Sequence, residues 1–255
     1  MKDLDEHKKI AVLIDADNAQ QGKVKKILNE LSTHGHVVVK RAYGDWSSTY
    51  LKNWKSTLNE LAVQPVQQFA YTTGKNSTDA SMIIDAMDIL YTGKFDAFAL
   101  VSSDSDFTKL AARLREAEVF VFGFGEKKTP VSFRNACDDF VFTENLGEEE
   151  TEPESQNGAP MIQALVPILL KAWDQYKDDN DWANVSSVGH LIKRQMPDFD
   201  PRSYGVTKIP EVIAMLPNNF ELSKFKGKGG GNVVAYRPKP GTYIAGSNPK
   251  AETAD

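Results

Sequence analysis

"FDAFALVSSDSDFTKL" covers Phe95–Leu110, and the order of its residue types decides the fold. From Ala97 to Val101 every position is apolar, so a strand here is buried on both faces. A sheet achieves that only when helices cover both of its sides. The chain then turns polar at once, through Ser102, Ser103, Asp104, Ser105 and Asp106. From Phe107 the segment "FTKLAARLREAE" has helical spacing. Strand, polar turn and helix in this order form the repeating unit of a parallel α/β sheet. Asp104 or Ser105 suits a helix N-cap. Two carboxylates at the mouth of a sheet also suit a metal ion.

The same unit recurs on both sides of this stretch. "KIAVLIDADN" (9–18) contains a fully apolar strand, and "GKVKKILNELSTHG" is an amphipathic helix closed by Gly35. "VVVKRAYG", "STYLKNWKSTLNELA" and "PVQQFAYTT" read as strand, helix and strand. "TDASMIIDAMDILYTG" is a helix ending at Gly93, "VFVFGFG" a further strand, and "DDFVFTE" a last short one. The pattern predicts a parallel sheet flanked by helices over residues 1–145.

After this the composition shifts. Residues 146–160, "LGEEETEPESQNGAP", carry five glutamates and no lysine or arginine, which is the composition of an acidic linker. Residues 161–239 carry 11 basic and 8 acidic side chains, against a net charge of −5 for the whole chain. "MIQALVPILLKAWDQY", "SVGHLIKRQM" and "SYGVTKIPEVIAML" read as helices, the last despite Pro210. "FELSKFK" and "NVVAYRP", joined by "GKGGG", read as a two-stranded ribbon. Three helices and a ribbon predict a small winged-helix-like α+β domain. Residues 240–255 read as a flexible tail.

No apolar run approaches the roughly 20 residues that span a bilayer, and "MKDLDEHKKI" has no apolar signal core. Cys137 is the only cysteine, which excludes an internal disulfide and fits a reducing, cytoplasmic setting. It reads as a buried small side chain. "TTGKNS" and "GFGEKK" lack the glycines of phosphate-binding loops.

Ligands of open parallel sheets bind outside the carboxyl ends of the strands. Asp15 follows "IAVLI", with Asp17 and Asn18 next; Asp104 and Asp106 follow "FDAFALV"; Asp79 opens the helix after the third strand. Several carboxylates at one edge repel one another unless a cation neutralises them. An all-oxygen set selects Mg²⁺ or Mn²⁺, ions that promote phosphoryl chemistry. An alternative is open for "DADNA": the nucleophile motif of haloacid-dehalogenase-type phosphatases, with Asp15 as nucleophile. Asp85 and Asp88 fall away from an apolar face of Ala80, Ile83, Ile84 and Met87, so solvated surface is expected for both.

"VLIDADN", "KNSTDASMIIDAMDILYTG", "FALVSSDSDF" and "VFGFGEKKTPVSFRNACDDFVFTE" together closely resemble bacterial NYN-domain proteins of the PIN-like nuclease superfamily, over about residues 9–145. The resemblance implies a metal-dependent ribonuclease. It implies Asp15, Asp79, Asp104 and Asp106 as the metal-site and catalytic acids, with Asn18 and Ser102 beside them. Lys75 and Arg134 are candidates for stabilising phosphate charge. "LVPILLKAW", "SVGHLIKRQMPDFDPRSYG", "FEL" and "VVAYRP" resemble the OST-HTH (LOTUS) domain. That resemblance implies an RNA partner, G-rich or structured in some members, while other members bind proteins. Lys193, Arg194, Arg202, Lys208, Lys224, Lys226 and Lys228 are candidate phosphate contacts. Tyr204 and Phe225 are candidates for stacking on bases. A non-catalytic RNA-binding regulator is the other reading, and the sequence leaves the oligomeric state open.

Overall fold

The computed structural model describes residues 8–68, 77–147, 162–226 and 232–242. The chain divides into two compact units, Met1–Glu150 and Thr151–Asp255. Of the expected linker over residues 146–160, Leu146 is instead buried in the first unit, and the part from residue 148 lies outside the described residues, as do the "GKGGG" turn and the part of the expected tail from residue 243.

In the first unit β1 (Lys9–Asp15), β2 (His36–Gly44), β3 (Gln64–Gln67), β4 (Ala97–Val101), β5 (Phe120–Gly125) and β6 (Asp139–Phe142) form one parallel sheet in the order β3-β2-β1-β4-β5-β6. The order reverses between β1 and β4. The connections are α1 (Val24–Ser32), α2 (Trp54–Glu60), α3 (Ser77–Tyr91), α4 (Thr108–Glu116) and α5 (Val131–Ala136). This is the expected PIN-like sheet flanked by helices.

Alternation along the strands sorts the side chains between two cores. Ile10, Val12 and Ile14 pack with Val24, Ile27, Leu31, Trp54 and Leu58, under α1 and α2. Ala11 and Leu13 pack with Met82, Ala86, Leu110, Leu114 and Phe133, under α3, α4 and α5. On β4, Ala97, Ala99 and Val101 belong to the first core, Phe98 and Leu100 to the second. The same parity sends Asp15 and Ser102 toward the side of α3 and α4. Cys137 is buried in this second core.

Several elements differ from the periodicity. The expected helix from Gly22 begins as a 3-10 turn (Gln21–Lys23), and only Val24–Ser32 is α-helical. The six-residue α5 is too short to show a period. The buried stripe of α3 is Met82, Ala86 and Ile89, whereas Ile84 is 64% exposed. This helix is apolar on more than one stripe, so spacing alone does not choose its inner face. Asp85 is accordingly not surface: it is half-buried, pairs with Arg41 on β2 and accepts a hydrogen bond from the Tyr43 hydroxyl. Asp88 is exposed, as expected.

The second unit holds α6 (Val166–Tyr176), β7 (Ala183–Asn184), α7 (Val185–Gln195), α8 (Ile209–Ala214), β8 (Phe220–Lys226) and β9 (Asn232–Pro238). The ribbon has a third member, since the order is β7-β9-β8, antiparallel throughout. The third helix is shorter than expected because Pro210 stands in its first turn. There its missing N–H costs nothing, and the helix starts at Ile209, with the proline in its first turn, instead of running through it. One core joins Leu169, Val188, Ile192, Val212, Ile213 and Tyr236, and the Tyr236 hydroxyl donates to Leu169 O at 2.7 Å. Among the described residues no helix is long and apolar enough to cross a membrane.

Gly125, at the end of β5, lies against the turn that follows β4. A Cβ there would sit 2.6 Å from the backbone oxygen of Ser102, whereas one on Gly22 would meet nothing within 4 Å. Gly125→Ala is therefore expected to lower stability by about 1–3 kcal/mol, the usual cost of overpacking. Gly22→Ala stays near wild type, and urea unfolding of the two variants checks the difference.

Candidate functional site

The reversal of strand order leaves a crevice between the ends of β1 and β4. Asp15 is the last residue of β1 and fully buried. β1 and β4 pair in register up to Ile14 opposite Val101, so Asp15 meets Ser102 one step on. Its Oδ2 accepts from the Ser102 hydroxyl at 2.7 Å and from the Asn18 amide at 2.8 Å. Its Oδ1 is buried with no hydrogen-bond partner among the described residues. Burial raises its pKa, and the bonds from Ser102 and Asn18 offset part of that rise.

The other acids come from helix starts. Asp79 stands in the first turn of α3. Asp104 caps the 3-10 turn Ser105–Phe107 ahead of α4, accepting from Asp106 N at 2.9 Å while its own N–H donates to Ser102 Oγ at 3.0 Å. The N-cap role and the cluster role thus fall on one residue. Asp79, Asp104 and Asp106 each bring one carboxylate oxygen to within 4.8 Å of the others. Asp15 stands outside that triplet, yet its charge acts on Asp79. The Asp79 carboxyl is pushed up to about 6 by desolvation first, then by Asp15, Asp104, Asp106 and Asp17. Asp17, adjacent in sequence to the expected set, joins it here, held by the Thr78 hydroxyl at 3.0 Å.

Ser103 supports the turn from the other side, its Oγ accepting from Glu126 N at 2.9 Å. Asn18 and Ser102 thus stand beside the acids as expected. Arg134, on α5, holds its guanidinium 5.6 Å from the Phe142 ring. Lys75 lies outside the described residues.

In the second unit the expected RNA contacts separate into groups. Arg202 is committed inward: its Nε reaches both oxygens of the buried Asp200 at 3.0 and 2.9 Å, and Nη2 reaches one at 2.8 Å. Tyr204 is half-buried against Phe199, with ring centroids 6.0 Å apart. Lys208 caps α8, its N–H donating to Glu211 at 3.1 Å. Lys193 and Arg194 occupy the last turn of α7, where cations complement the helix dipole. Lys224, Phe225 and Lys226 are exposed on β8, and Lys228 lies outside the described residues. Sequence reasoning passed over Trp182 and Arg237, whose guanidinium lies 4.6 Å from the Trp182 ring. Neither belongs to a basic run, and only strand pairing brings them together.

Asp79 carries a pH dependence with a definite sign. Its folded pKa of about 6 lies above the ordinary value of 3.8, so the folded state binds the proton more tightly than the unfolded one. Without divalent metal, the first unit is expected to lose stability as pH rises from about 4 to about 6. Asp79→Asn removes that slope and raises the metal-free melting temperature at pH 7, which thermal melts across this window check.

Residues 9–145 match the NYN domain family, and residues 161–231 match the OST-HTH/LOTUS domain family. Among curated proteins none matches the chain. A crystal structure of a protein of unknown function from Vibrio parahaemolyticus is 20% identical, over 56% of this chain and 95% of that one, with a TM-score of 0.46. A solution structure of an uncharacterized protein from Nitrosomonas europaea is 30% identical, over 36% of this chain and 91% of that one, with a TM-score of 0.27. With more than half of its length matched, and its acids gathered at the switch point of a PIN-like sheet, the chain belongs to the NYN-domain family, a nuclease-type fold, and carries an OST-HTH/LOTUS domain behind it.

Proposed function

We propose that the protein is a divalent-metal-dependent ribonuclease whose second unit holds the RNA. The observation that carries this reading is the meeting of Asp79, Asp104 and Asp106 within 4.8 Å, with the charge of Asp15 acting on Asp79 and the buried Asp15 Oδ1 left without a hydrogen-bond partner among the described residues. An unsatisfied buried carboxylate oxygen and a triplet of mutually repelling acids both call for a cation. The donors are all carboxylate oxygens, which fits Mg²⁺ or Mn²⁺.

Asp15, Asp79, Asp104 and Asp106 would hold the ion. When bound, it supplies a lowered pKa for water and stabilisation of charge on the leaving oxygen. The remaining work belongs to this chain. Ser102 and Asn18 fix the Asp15 carboxylate by its Oδ2, so the orientation of Oδ1 is set before any ligand arrives. The backbone N–H of Asp106 does the same for Asp104 Oδ1. Asp79, pushed up to about 6 by burial and by its acidic neighbours, holds a proton in mildly acidic solution and gives it up as a cation binds. The match of residues 9–145 to the NYN domain family favours this reading over the phosphatase alternative. The single buried cysteine fits a cytoplasmic setting.

Purified protein with labelled RNA and Mn²⁺ or Mg²⁺ is expected to cleave, and to stop on chelation. Asp15→Asn and Asp104→Asn are expected to abolish cleavage while the fold is kept. Ser102→Ala, which frees Asp15 without removing it, is expected to weaken metal affinity or activity by about 10- to 100-fold. Wild-type rates in both aspartate variants would overturn the reading.

A second test separates the units. A fragment ending at Glu150 contains its own two cores. It should keep metal-dependent cleavage of short RNA and lose apparent affinity for long RNA, because tethering raises the local concentration of substrate. Titration of both lengths against the fragment and the full chain decides it.

A further inference from the structure

The second unit carries a feature that its basic residues do not account for. On β9, Tyr236 turns into the core, so Ala235 and Arg237 alternate around it, with Ala235 and Arg237 on the opposite face of the sheet. Directly paired residues share a face. Ser223 pairs with Ala235, Glu221 with Arg237 and Phe225 with Val233, while Asn184 pairs with Ala235 from the other side. Trp182 precedes β7 by one residue and falls opposite Arg237 by the same register.

This outer face carries a row of three π systems. The Arg237 guanidinium lies 4.6 Å from the Trp182 ring, and Trp182 meets Phe225 edge-on at 5.3 Å and 70°. Glu221 pairs with the Arg237 guanidinium and holds it in place. The tight turn before β7 fixes Trp182 at both backbone groups: its N–H donates to Asp178 Oδ1 at 2.9 Å and its carbonyl accepts from Asp178 N at 2.9 Å. Ala235 beneath the row is 5% exposed. Phe225, at the open end, is 43% exposed, and its chain neighbours Lys224 and Lys226, which alternate to the other side of the same edge strand, are exposed as well.

A large aromatic left on an exposed edge strand is unfavourable in isolation. Here it packs edge-on against a second aromatic, which is itself backed by the Arg237 guanidinium. An exposed aromatic ring at a sheet edge, with cations on the other side of that edge, matches an unpaired nucleobase joined to phosphates: the ring takes the base face, and the ammonium groups take the backbone as it passes round the edge. By contrast, Arg202 and Tyr204, near α7, are committed inside the unit. We infer that the outer face of the β7-β9-β8 sheet, at its β8 edge, is a stacking site for single-stranded RNA, with Phe225 as the base platform, Trp182 and Arg237 as its support, and Lys224 and Lys226, which alternate to the other side of the edge strand, as contacts for phosphates that pass round that edge. This rests on the RNA-binding reading of the second unit and specifies it. The face takes splayed bases, not a duplex groove.

The test uses the full chain in EDTA, so that cleavage does not interfere. The probes are a short labelled single-stranded RNA of mixed sequence, the same strand without bases, and the strand annealed to its complement. The wild type should bind the unpaired strand best. Phe225→Leu keeps apolar area and loses the ring, and should weaken that binding by about tenfold or more, the range set by loss of one stacked base. Its dependence on salt should stay as in the wild type, whereas Lys224→Ala with Lys226→Ala should flatten it. Phe225→Trp should retain affinity. The base-free strand should bind wild type and Phe225→Leu equally weakly. Unchanged affinity in Phe225→Leu, or equal wild-type affinity for the strands with and without bases, would overturn the stacking site while leaving RNA binding by the unit intact. Absence of any RNA binding by the wild-type chain would overturn the broader reading as well, in favour of a protein-docking role.

Discussion

Asp15 ends the central strand of the first unit as a carboxylate with no exposure to solvent, and the surroundings follow from that position. Moving an isolated ion out of water costs several kcal/mol even after relaxation. Ser102 and Asn18 offset part of this at one oxygen, and the other has no partner among the described residues. The geometry of the neighbouring turn is tied to the same contact. Ser102 both donates to Asp15 and accepts from the Asp104 N–H, so the acid on β1 and the acid after β4 share one hydroxyl. Gly125 allows β5 to approach that turn closely enough to keep Ser102 there.

The raised pKa values of Asp15 and Asp79 express the same constraint. A folded protein that gathers Asp15, Asp17, Asp79, Asp104 and Asp106 around one crevice stores repulsion in its metal-free state. Such an arrangement sacrifices stability at the site, while the two apolar cores on either face of the sheet supply it elsewhere. Arg41, Tyr43 and Asp85 tie α3 to β2 and so hold the helix whose first turn carries Asp79. In the second unit charge is used differently. Arg202 is committed to a buried partner, while Lys224 and Lys226 stand exposed on the edge strand that carries Phe225.

Much of this was legible in the residues. Strands apolar on both faces, alternating with helices, specify a parallel sheet covered on both sides, because no other arrangement buries them. Acids directly after such strands must then lie at the carboxyl edge, and Asp15 and Asp104 are found there. The inner face of α3 was not legible, because a helix apolar on several stripes is oriented by the sheet it packs on. Asp85 thus exchanged an expected solvated position for a pair with Arg41. The helix over Val131–Ala136 was too short to show a period, and Pro210 started a helix that the pattern ran through.

The sequence by itself determined the layers, the edge at which the acids gather and the presence of a second, more basic unit, all of which follow from local alternation and composition. Only the tertiary structure decided which acids meet, that Asp17 joins them, that Arg202 is taken by Asp200, and that Trp182, Phe225 and Arg237 form one row. Those outcomes depend on strand register and on contacts between residues far apart in the chain. Periodicity reports which face a side chain occupies, but pairing across strands decides what it finds there.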